Sequence, residues 1–201
     1  MPRGVSAALL NVTLAGLYAL FIWRHAEAFY DTHELPLLAA VILETMVVAM
    51  FLARREASVS NVSPTAIAAT ALGTFSTLFL APIERSAVPS VVTVAIQMVG
   101  LVMAIVALGS LRRSFGLAPA NRGVKTSGMY RFVRHPLYAA YFVTFLGYVL
   151  AYPAPRNFVV LACCLTGQVL RMTLEERLLF RDQEYVAYAA RTRFRIVPGL
   201  Y

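Results

Sequence analysis

The chain has 201 residues, of which 59% are apolar and only 14% are charged, and its mean hydropathy is +0.68. These values lie outside the usual range of soluble domains and predict an integral membrane protein. The formal net charge is +8, but no nucleic-acid-binding motif accompanies it. We therefore expect no nucleic-acid partner, and we attribute the charge to orientation in the membrane and to contact with anionic lipid.

Six apolar stretches follow one another along the chain and predict transmembrane helices. A helix that crosses a bilayer needs roughly 20 residues, with about 17 as the short limit. The first four stretches are long enough, whereas the last two are shorter and indicate a helical hairpin, so five spans are the alternative to six. The stretches are Val5–Trp23, Leu35–Ala53, Pro64–Leu80, Pro89–Ser110, Leu137–Tyr152 and Phe158–Leu170. The predicted fold class is an all-α integral membrane protein with a C-terminal helical hairpin and a cytosolic amphipathic tail.

The placement of basic residues predicts the orientation of these spans. With the N-terminus in the cytoplasm and six spans, 15 of the 18 Lys and Arg residues fall inside, and only Arg24, Arg85 and Arg156 fall outside. The positive-inside rule favours this arrangement and places both termini and the long polar segment in the cytoplasm. Because the composition is rich in Arg and poor in Lys, we expect a bacterial inner membrane.

The sequence divides near residue 110 into two predicted regions, a four-helix membrane region (1–110) and a C-terminal catalytic region (111–201). Glu44 is the only ionisable side chain well within one of the first four spans. An acid at this depth either serves substrate or ion handling or is satisfied by Thr45 and neighbouring helices.

Two groups of small residues lie inside the predicted spans. Ala66, Ala69 and Gly73 occupy the third span and predict close helix packing. Cys163 and Cys164 are adjacent in a helix and point in different directions, so we expect no disulfide between them.

Residues 111–136 form the longest polar segment of the chain. Gly123 and Gly128 interrupt regular structure there, and Pro136 suits the first turn of the helix that follows. His135 is therefore predicted at a helix N-terminus, an arrangement that favours an anionic or zwitterionic ligand group.

The last apolar run is followed by polar residues at helical spacing. Arg171 and Glu175 stand four apart on one helix face. Alone they indicate an ion pair worth about 0.3–0.5 kcal/mol, but beside the polar segment they predict an interfacial ligand pocket. The amphipathic stretch Met172–Arg191 is expected to lie across the cytoplasmic loop. No Cys or His spacing matches a zinc site, so we expect no metal.

The sequence Arg134-His135-Pro136-Leu137-Tyr138 follows Thr126–Tyr130 and precedes, after one hairpin, Arg171-x-x-x-Glu175-Glu176. This pattern resembles the isoprenylcysteine carboxyl methyltransferase family, within a wider group that contains phospholipid N-methyltransferases. The resemblance implies a membrane enzyme that uses S-adenosylmethionine as its cofactor in a cytosolic pocket without a Rossmann fold. It also implies that Arg171 faces the substrate. The residues that it implies for cofactor binding are Arg122, Gly123, Val124, Lys125, Tyr130, His135, Pro136, Leu137, Tyr138 and Glu175.

The implied reaction is methyl transfer onto the carboxylate of a lipophilic acceptor that enters from the bilayer. A carboxylate is ionised at neutral pH and needs no general base, and the planar guanidinium of Arg171 suits it. A thiolate or phenolate acceptor fits equally well. The amine of a phospholipid would first have to lose a proton, and only His135 or Glu175 is available for that step. The sequence is also compatible with an NADPH enzyme similar to sterol reductases and with a non-catalytic membrane scaffold.

Overall fold

The computed structural model describes residues 3–53, 59–61, 63–80, 87–88, 90–111, 114 and 120–199. Seven α-helices make up most of this part of the chain, which confirms the all-α class. They are α1 (Arg3–Thr32), α2 (Leu35–Ala53), α3 (Pro64–Phe75), α4 (Ser90–Leu111), α5 (Pro136–Ala151), α6 (Pro155–Leu179) and α7 (Gln183–Arg191). Two short strands, β1 (Val59–Ser60) and β2 (Ala120–Asn121), pair antiparallel.

The helix bounds follow the apolar stretches closely for α2, α4 and α5. In the third stretch the α-helix ends at Phe75, and a 3₁₀ helix follows over Ser76–Phe79. The sixth stretch, Phe158–Leu170, was predicted too short. The helix α6 that contains it continues beyond the apolar residues to Leu179. A run of apolar residues predicts only the part of a helix that is shielded from water. A polar extension of the same helix is therefore not detected from hydropathy.

Two helices in the described ranges are long and apolar enough to cross a bilayer, α4 and α6. Shorter apolar segments occur at Leu35–Met50 in α2 and at Pro136–Ala151 in α5. The apolar helices agree with a membrane protein. The number of spans and their orientation remain predictions from the sequence, and Arg85 lies outside the described residues.

The helices pack chiefly as the pairs α1–α2, α3–α6 and α4–α5, and α2 also packs on α4. The pairs α3–α6 and α4–α5 join helices from both sides of residue 110. Glycines allow the close approach: a Cβ on Gly100 would strike Thr144 of α5, and a Cβ on Gly147 would strike Gln97 of α4. Small residues at such crossings are the usual means by which membrane helices pack.

The α3–α6 contact confirms the close packing expected from the small residues of the third stretch. Ala66, Ala69 and Gly73 are all buried, and the backbone of Gly73 lies directly against Gly167 of α6. The amide of Gln168 donates a hydrogen bond of 2.9 Å to the Gly73 carbonyl. Both cysteines are free, as expected, and the buried thiol of Cys164 also contacts the Gly73 carbonyl, at 3.4 Å.

Replacing Gly167 with Ala should destabilise the protein by about 1–3 kcal/mol, because the new methyl group would overlap the backbone of Gly73. Gly16→Ala is the matched control, since nothing lies within 4 Å of a Cβ built there. That change should leave stability equal or slightly raised. Thermal unfolding of the detergent-solubilised variants measures both effects. Equal melting temperatures for Gly167→Ala and the wild type would show that this crossing is not tightly packed in solution.

The acid within the second stretch is satisfied by the neighbouring helix. Nδ1 of His25 in α1 lies 3.0 and 3.1 Å from the two carboxylate oxygens of Glu44 in α2. The hydroxyl of Thr45, the other expected partner, instead donates to the Val41 carbonyl at 2.7 Å. The polar pair is therefore part of the α1–α2 contact.

The amphipathic tail is two elements, not the one continuous stretch that its pattern indicated. After α6 ends, Asp182 caps α7 by accepting a hydrogen bond of 2.9 Å from the backbone of Glu184. Beyond α7 the chain folds back, and the backbone amides of Arg134 and His135 donate to the carbonyls of Phe194 and Arg195 at 2.9 and 2.8 Å. Within the predicted stretch, the Tyr188 hydroxyl of α7 donates to the Tyr130 carbonyl at 2.6 Å, which confirms that the tail lies across the loop.

Candidate functional site

A cavity lies where the polar segment, the start of α5, the end of α6 and the tail meet. The space between its walls is about 720 Å³ when the open mouth is included. Its lining combines a carboxylate, several cations and four tyrosines. The lining residues are Leu111, Ser114, Ala120, Arg122, Gly123, Val124, Lys125, Tyr130, Arg134, His135, Leu137, Tyr138, Arg171, Glu175, Leu179, Tyr185 and Tyr188.

The structure brings nearly all of the residues implied by the family resemblance to this one cavity. The strip Arg122–Lys125 forms one wall, and Tyr130, Tyr138, Arg171 and Glu175 also face it. Pro136 is the exception: it is fully buried and does not line the cavity. Pro136 is the first residue of α5. At this position a backbone N–H would have no partner within the helix, so the lack of one in proline costs no hydrogen bond.

Tyr138 links the two site residues of α6. Its hydroxyl donates a hydrogen bond of 3.0 Å to Glu175 Oε2, and its ring lies 5.0 Å from the guanidinium carbon of Arg171. Arg171 and Glu175 both lie in the described part of the chain, and they form no ion pair. The ion pair expected between Arg171 and Glu175 is therefore absent, and the Tyr138 side chain contacts both residues instead. Its ring holds the Arg171 guanidinium by a cation–π contact.

One donor of Arg171 has no partner among the residues that the structure describes. The residue is only 5% exposed, and its Nε makes no hydrogen bond within the described residues. A buried charged donor left unpaired is costly. The arrangement therefore favours an acceptor group supplied by a ligand.

The side chain of His135 is directed to Glu176. Its Nε2 lies 3.1 Å from Glu176 Oε1, and its ring stands edge-on to Tyr138 with centroids 5.4 Å apart. Glu176 Oε1 also lies 3.1 Å from Nε of Arg134, and Oε2 accepts a hydrogen bond of 2.8 Å from Nε of Arg195. One buried carboxylate thus holds the loop and the folded-back tail to α6.

Glu176 is the main residue that sequence reasoning did not assign. It stands beside Glu175 in the same motif, but adjacent residues on a helix point about 100° apart. Glu175 therefore faces the cavity, and Glu176 faces the loop and the tail. The signal that could have identified it was the pair of cations Arg134 and Arg195, which need a shared counter-charge when the tail folds back onto the loop.

Two tyrosines of α7 close the cavity from the tail side. The Tyr188 hydroxyl donates a hydrogen bond of 2.6 Å to the Tyr130 carbonyl, and the Tyr185 hydroxyl contacts Glu176 Oε1 at 3.4 Å. Burial raises the pKa of Tyr188 to about 12 and raises the pKa of Tyr130 and of Tyr185 as well. All three phenols stay protonated at neutral pH, and those of Tyr185 and Tyr188 act as donors. The amphipathic pattern of the tail predicted this buried face of α7 but not its place at the cavity.

The polar strip is tied to the turn between α6 and α7. The Asn121 amide donates a hydrogen bond of 2.7 Å to Asp182 Oδ2, which lowers the pKa of that carboxyl below its ordinary value. The other end of the same amide accepts a hydrogen bond of 2.9 Å from the backbone of Gly123, a residue with φ +93°. These bonds set the path of the strip along the cavity.

The fold and the site define a helical membrane protein with a polar ligand cavity at the ends of its apolar helices. Residues 85–182 match the sequence model of the phospholipid methyltransferase family. The match confirms the resemblance to the wider phospholipid methyltransferase group over the region from α4 to the turn after α6, and it indicates a methyltransferase that works at a membrane. A comparison with curated proteins gave no match.

Proposed function

We propose that the protein transfers a methyl group from S-adenosylmethionine to the carboxylate of a lipophilic acceptor at the membrane interface. The family match supports methyl transfer. The cavity supports a polar cofactor next to apolar helices. The choice of acceptor rests on Arg171, as argued below.

The cavity residues suit the chemistry of this cofactor. The Glu175 carboxylate suits its amino group or ribose hydroxyls, and the cation of Arg122 suits its carboxylate, while Lys125 borders the cavity at its edge. The rings of Tyr130 and Tyr138 offer flat surfaces for its adenine. When bound, S-adenosylmethionine supplies an electrophilic methyl group on a sulfonium. Because His135 is bonded to Glu176, its contribution is to hold the loop against α6 beside the cavity.

The unpaired donor of Arg171 is the observation that carries the proposal for a carboxylate acceptor. Arg171 is buried at the cavity, its Nε has no hydrogen bond to any described residue, and the ring of Tyr138 contacts its guanidinium. A guanidinium held in this way is prepared to bind a planar anion through parallel hydrogen bonds. An acceptor carboxylate would meet the unpaired donor.

The state of the two candidate bases also favours a carboxylate. His135 is bonded to Glu176, and Glu175 accepts a hydrogen bond from Tyr138. His135 is thus engaged by Glu176, and Glu175 is assigned to the cofactor in this proposal, so neither is left as a base for an ammonium acceptor. An acceptor that is already ionised needs no such base.

Methyl transfer to a phospholipid amine is the second candidate, and the description of the matched family is the observation that favours it. The two candidates differ in the bond that forms. A carboxylate gives a methyl ester, which alkali hydrolyses, whereas an amine gives an N-methyl group, which alkali leaves intact.

Equilibrium binding and product analysis test the proposal together. The purified protein should bind S-adenosylmethionine and not NADPH. With radiolabelled cofactor it should methylate an S-prenylated cysteine derivative to an alkali-labile product, and it should leave phosphatidylethanolamine in vesicles unlabelled. Binding of NADPH alone would refute methyl transfer, and alkali-stable label in phosphatidylethanolamine would establish the second candidate.

Replacing Tyr138 with Phe should weaken S-adenosylmethionine binding by roughly three- to tenfold, because the net value of a typical intramolecular hydrogen bond is about 1 kcal/mol. The change removes the hydroxyl that positions Glu175 and keeps the ring beneath Arg171. Tyr148→Phe is the control on the same helix, since Tyr148 packs on Tyr152 and does not line the cavity. Equal cofactor affinity in the two variants would show that the Tyr138–Glu175 bond has no part in cofactor binding.

A further inference from the structure

A second cavity lies on the other side of Lys125. It is a polar groove formed by the last turns of α4 and the loop before the 3₁₀ helix at Gly128–Arg131. Its lining consists of Val106, Gly109, Ser110, Lys125, Ser127 and Gly128. Lys125 therefore borders both the candidate cofactor cavity and this groove.

The groove offers the Lys125 cation and the Ser127 hydroxyl without a competing acid, while the Ser110 hydroxyl donates to the Val106 carbonyl at 2.8 Å. No acidic residue lines it, and within the described residues no carboxylate lies within ion-pair distance of the Lys125 ammonium. The loop is pressed onto α4 here: Gly128 has φ +63°, and a Cβ at this position would strike the Ser110 hydroxyl. An ammonium beside a hydroxyl is a suitable site for a phosphate group.

An exposed apolar stripe leads along α4 directly into the groove. Val99, Val102 and Val106 are 55%, 51% and 49% exposed, and Ala95 and Gly109 extend the same face at helical spacing. The stripe from 95 to 109 is about 21 Å long at 1.5 Å per residue. A ligand with an apolar chain along the stripe and a phosphate at Lys125 matches both features.

We infer that this groove binds the phosphate of an anionic membrane phospholipid whose acyl chain lies along the exposed face of α4. The inference concerns a site beside the cofactor cavity and does not depend on which acceptor is methylated. It requires only that α4 is in contact with lipid. The position of Lys125 between the two cavities places the bound headgroup next to the methyl-transfer site.

The sequence provides a direct probe of the site, because Lys125 is the single lysine of the chain. The full-length protein is reconstituted in phosphatidylcholine nanodiscs with or without phosphatidylglycerol and treated with an amine-acetylating reagent. Mass spectrometry of the peptide that contains residue 125 measures the rate of modification. Phosphatidylglycerol should slow this rate about fivefold, and inorganic phosphate at the same concentration should not.

A matched pair of variants separates the groove from general attraction to the basic surface. Ser127→Glu places a carboxylate in the groove, so the protection of Lys125 by phosphatidylglycerol should be lost. Thr126→Glu adds the same charge one residue away, where the side chain is exposed and lines neither cavity, and should retain the protection. Ser127→Glu should also retain S-adenosylmethionine binding, because Ser127 does not line the cofactor cavity.

Three results would overturn the inference: no protection in the wild type, equal protection in the two variants, or equal protection by inorganic phosphate. Loss of S-adenosylmethionine binding in Ser127→Glu alone would show that the groove belongs to the cofactor site. Absence of cofactor binding in the wild type would count against the proposed function and leave the lipid result unaffected.

Discussion

Replacing Glu176 with Ala should destabilise the protein by about 3–5 kcal/mol and abolish cofactor binding. The change leaves the buried Arg134 and His135 without their counter-charge and releases Arg195 of the folded-back tail. The loop that carries the wall of the cavity and the tail that carries Tyr185 would then lose their common contact with α6. Thermal unfolding and equilibrium binding of S-adenosylmethionine measure the two effects.

Two further variants make this result decisive. Glu176→Gln keeps the size of the side chain and removes its charge, so it should fold, melt at a lower temperature than the wild type and bind the cofactor weakly. Glu184→Gln removes an exposed acid from the first turn of α7 and should change stability by no more than about 0.5 kcal/mol. Wild-type melting and cofactor affinity in Glu176→Gln would show that the charge at 176 does not hold the site together.

Replacing Arg171 with Lys should lower kcat/KM for the acceptor by about 10- to 160-fold and leave cofactor affinity nearly unchanged. The range corresponds to the loss of about 1.5–3 kcal/mol from hydrogen bonds to a charged group. Lysine keeps the charge but lacks the planar fork that binds a carboxylate at two points. It also loses the flat contact with the ring of Tyr138.

Arg177→Lys is the control for this prediction, because Arg177 lies on the same helix but is exposed and outside the cavity. Steady-state rates and cofactor binding are measured on the same preparations. If Arg171→Lys weakens cofactor binding in step with activity, Arg171 serves the cofactor, and the argument for a carboxylate acceptor is wrong. If both remain at wild-type values, Arg171 has no part in the site.

The family match alone would not have led to these residues, because it spans 85–182 and ends before α7 and the folded-back tail. The tail supplies Tyr185, Tyr188 and Arg195, each of which bonds across to the matched region. The site is therefore formed both by residues of the matched range 85–182 and by C-terminal residues that follow it.

The sequence by itself determined the helices and most of the cavity lining. Long apolar runs give helices in a membrane environment because every backbone polar group must be bonded within the segment, and this local rule located α2, α4 and α5. The motif around His135 and the pair Arg171 and Glu175 were recognisable because their residues are close in sequence or one helical turn apart. The small residues in the third stretch predicted close packing because small side chains let neighbouring helices approach closely.

Only the tertiary structure decided which acid faces the cavity and where the tail lies. The rotation of α6 is set by its contact with α3 at Gly73 and Gly167, and this rotation turns Glu175 toward the cavity and Glu176 toward the loop. The bonds from Arg195 to Glu176 and from the backbone of His135 to Arg195 join residues that are distant in sequence. No local pattern encodes such a contact, because it forms only when the packing of whole helices has brought the two segments together.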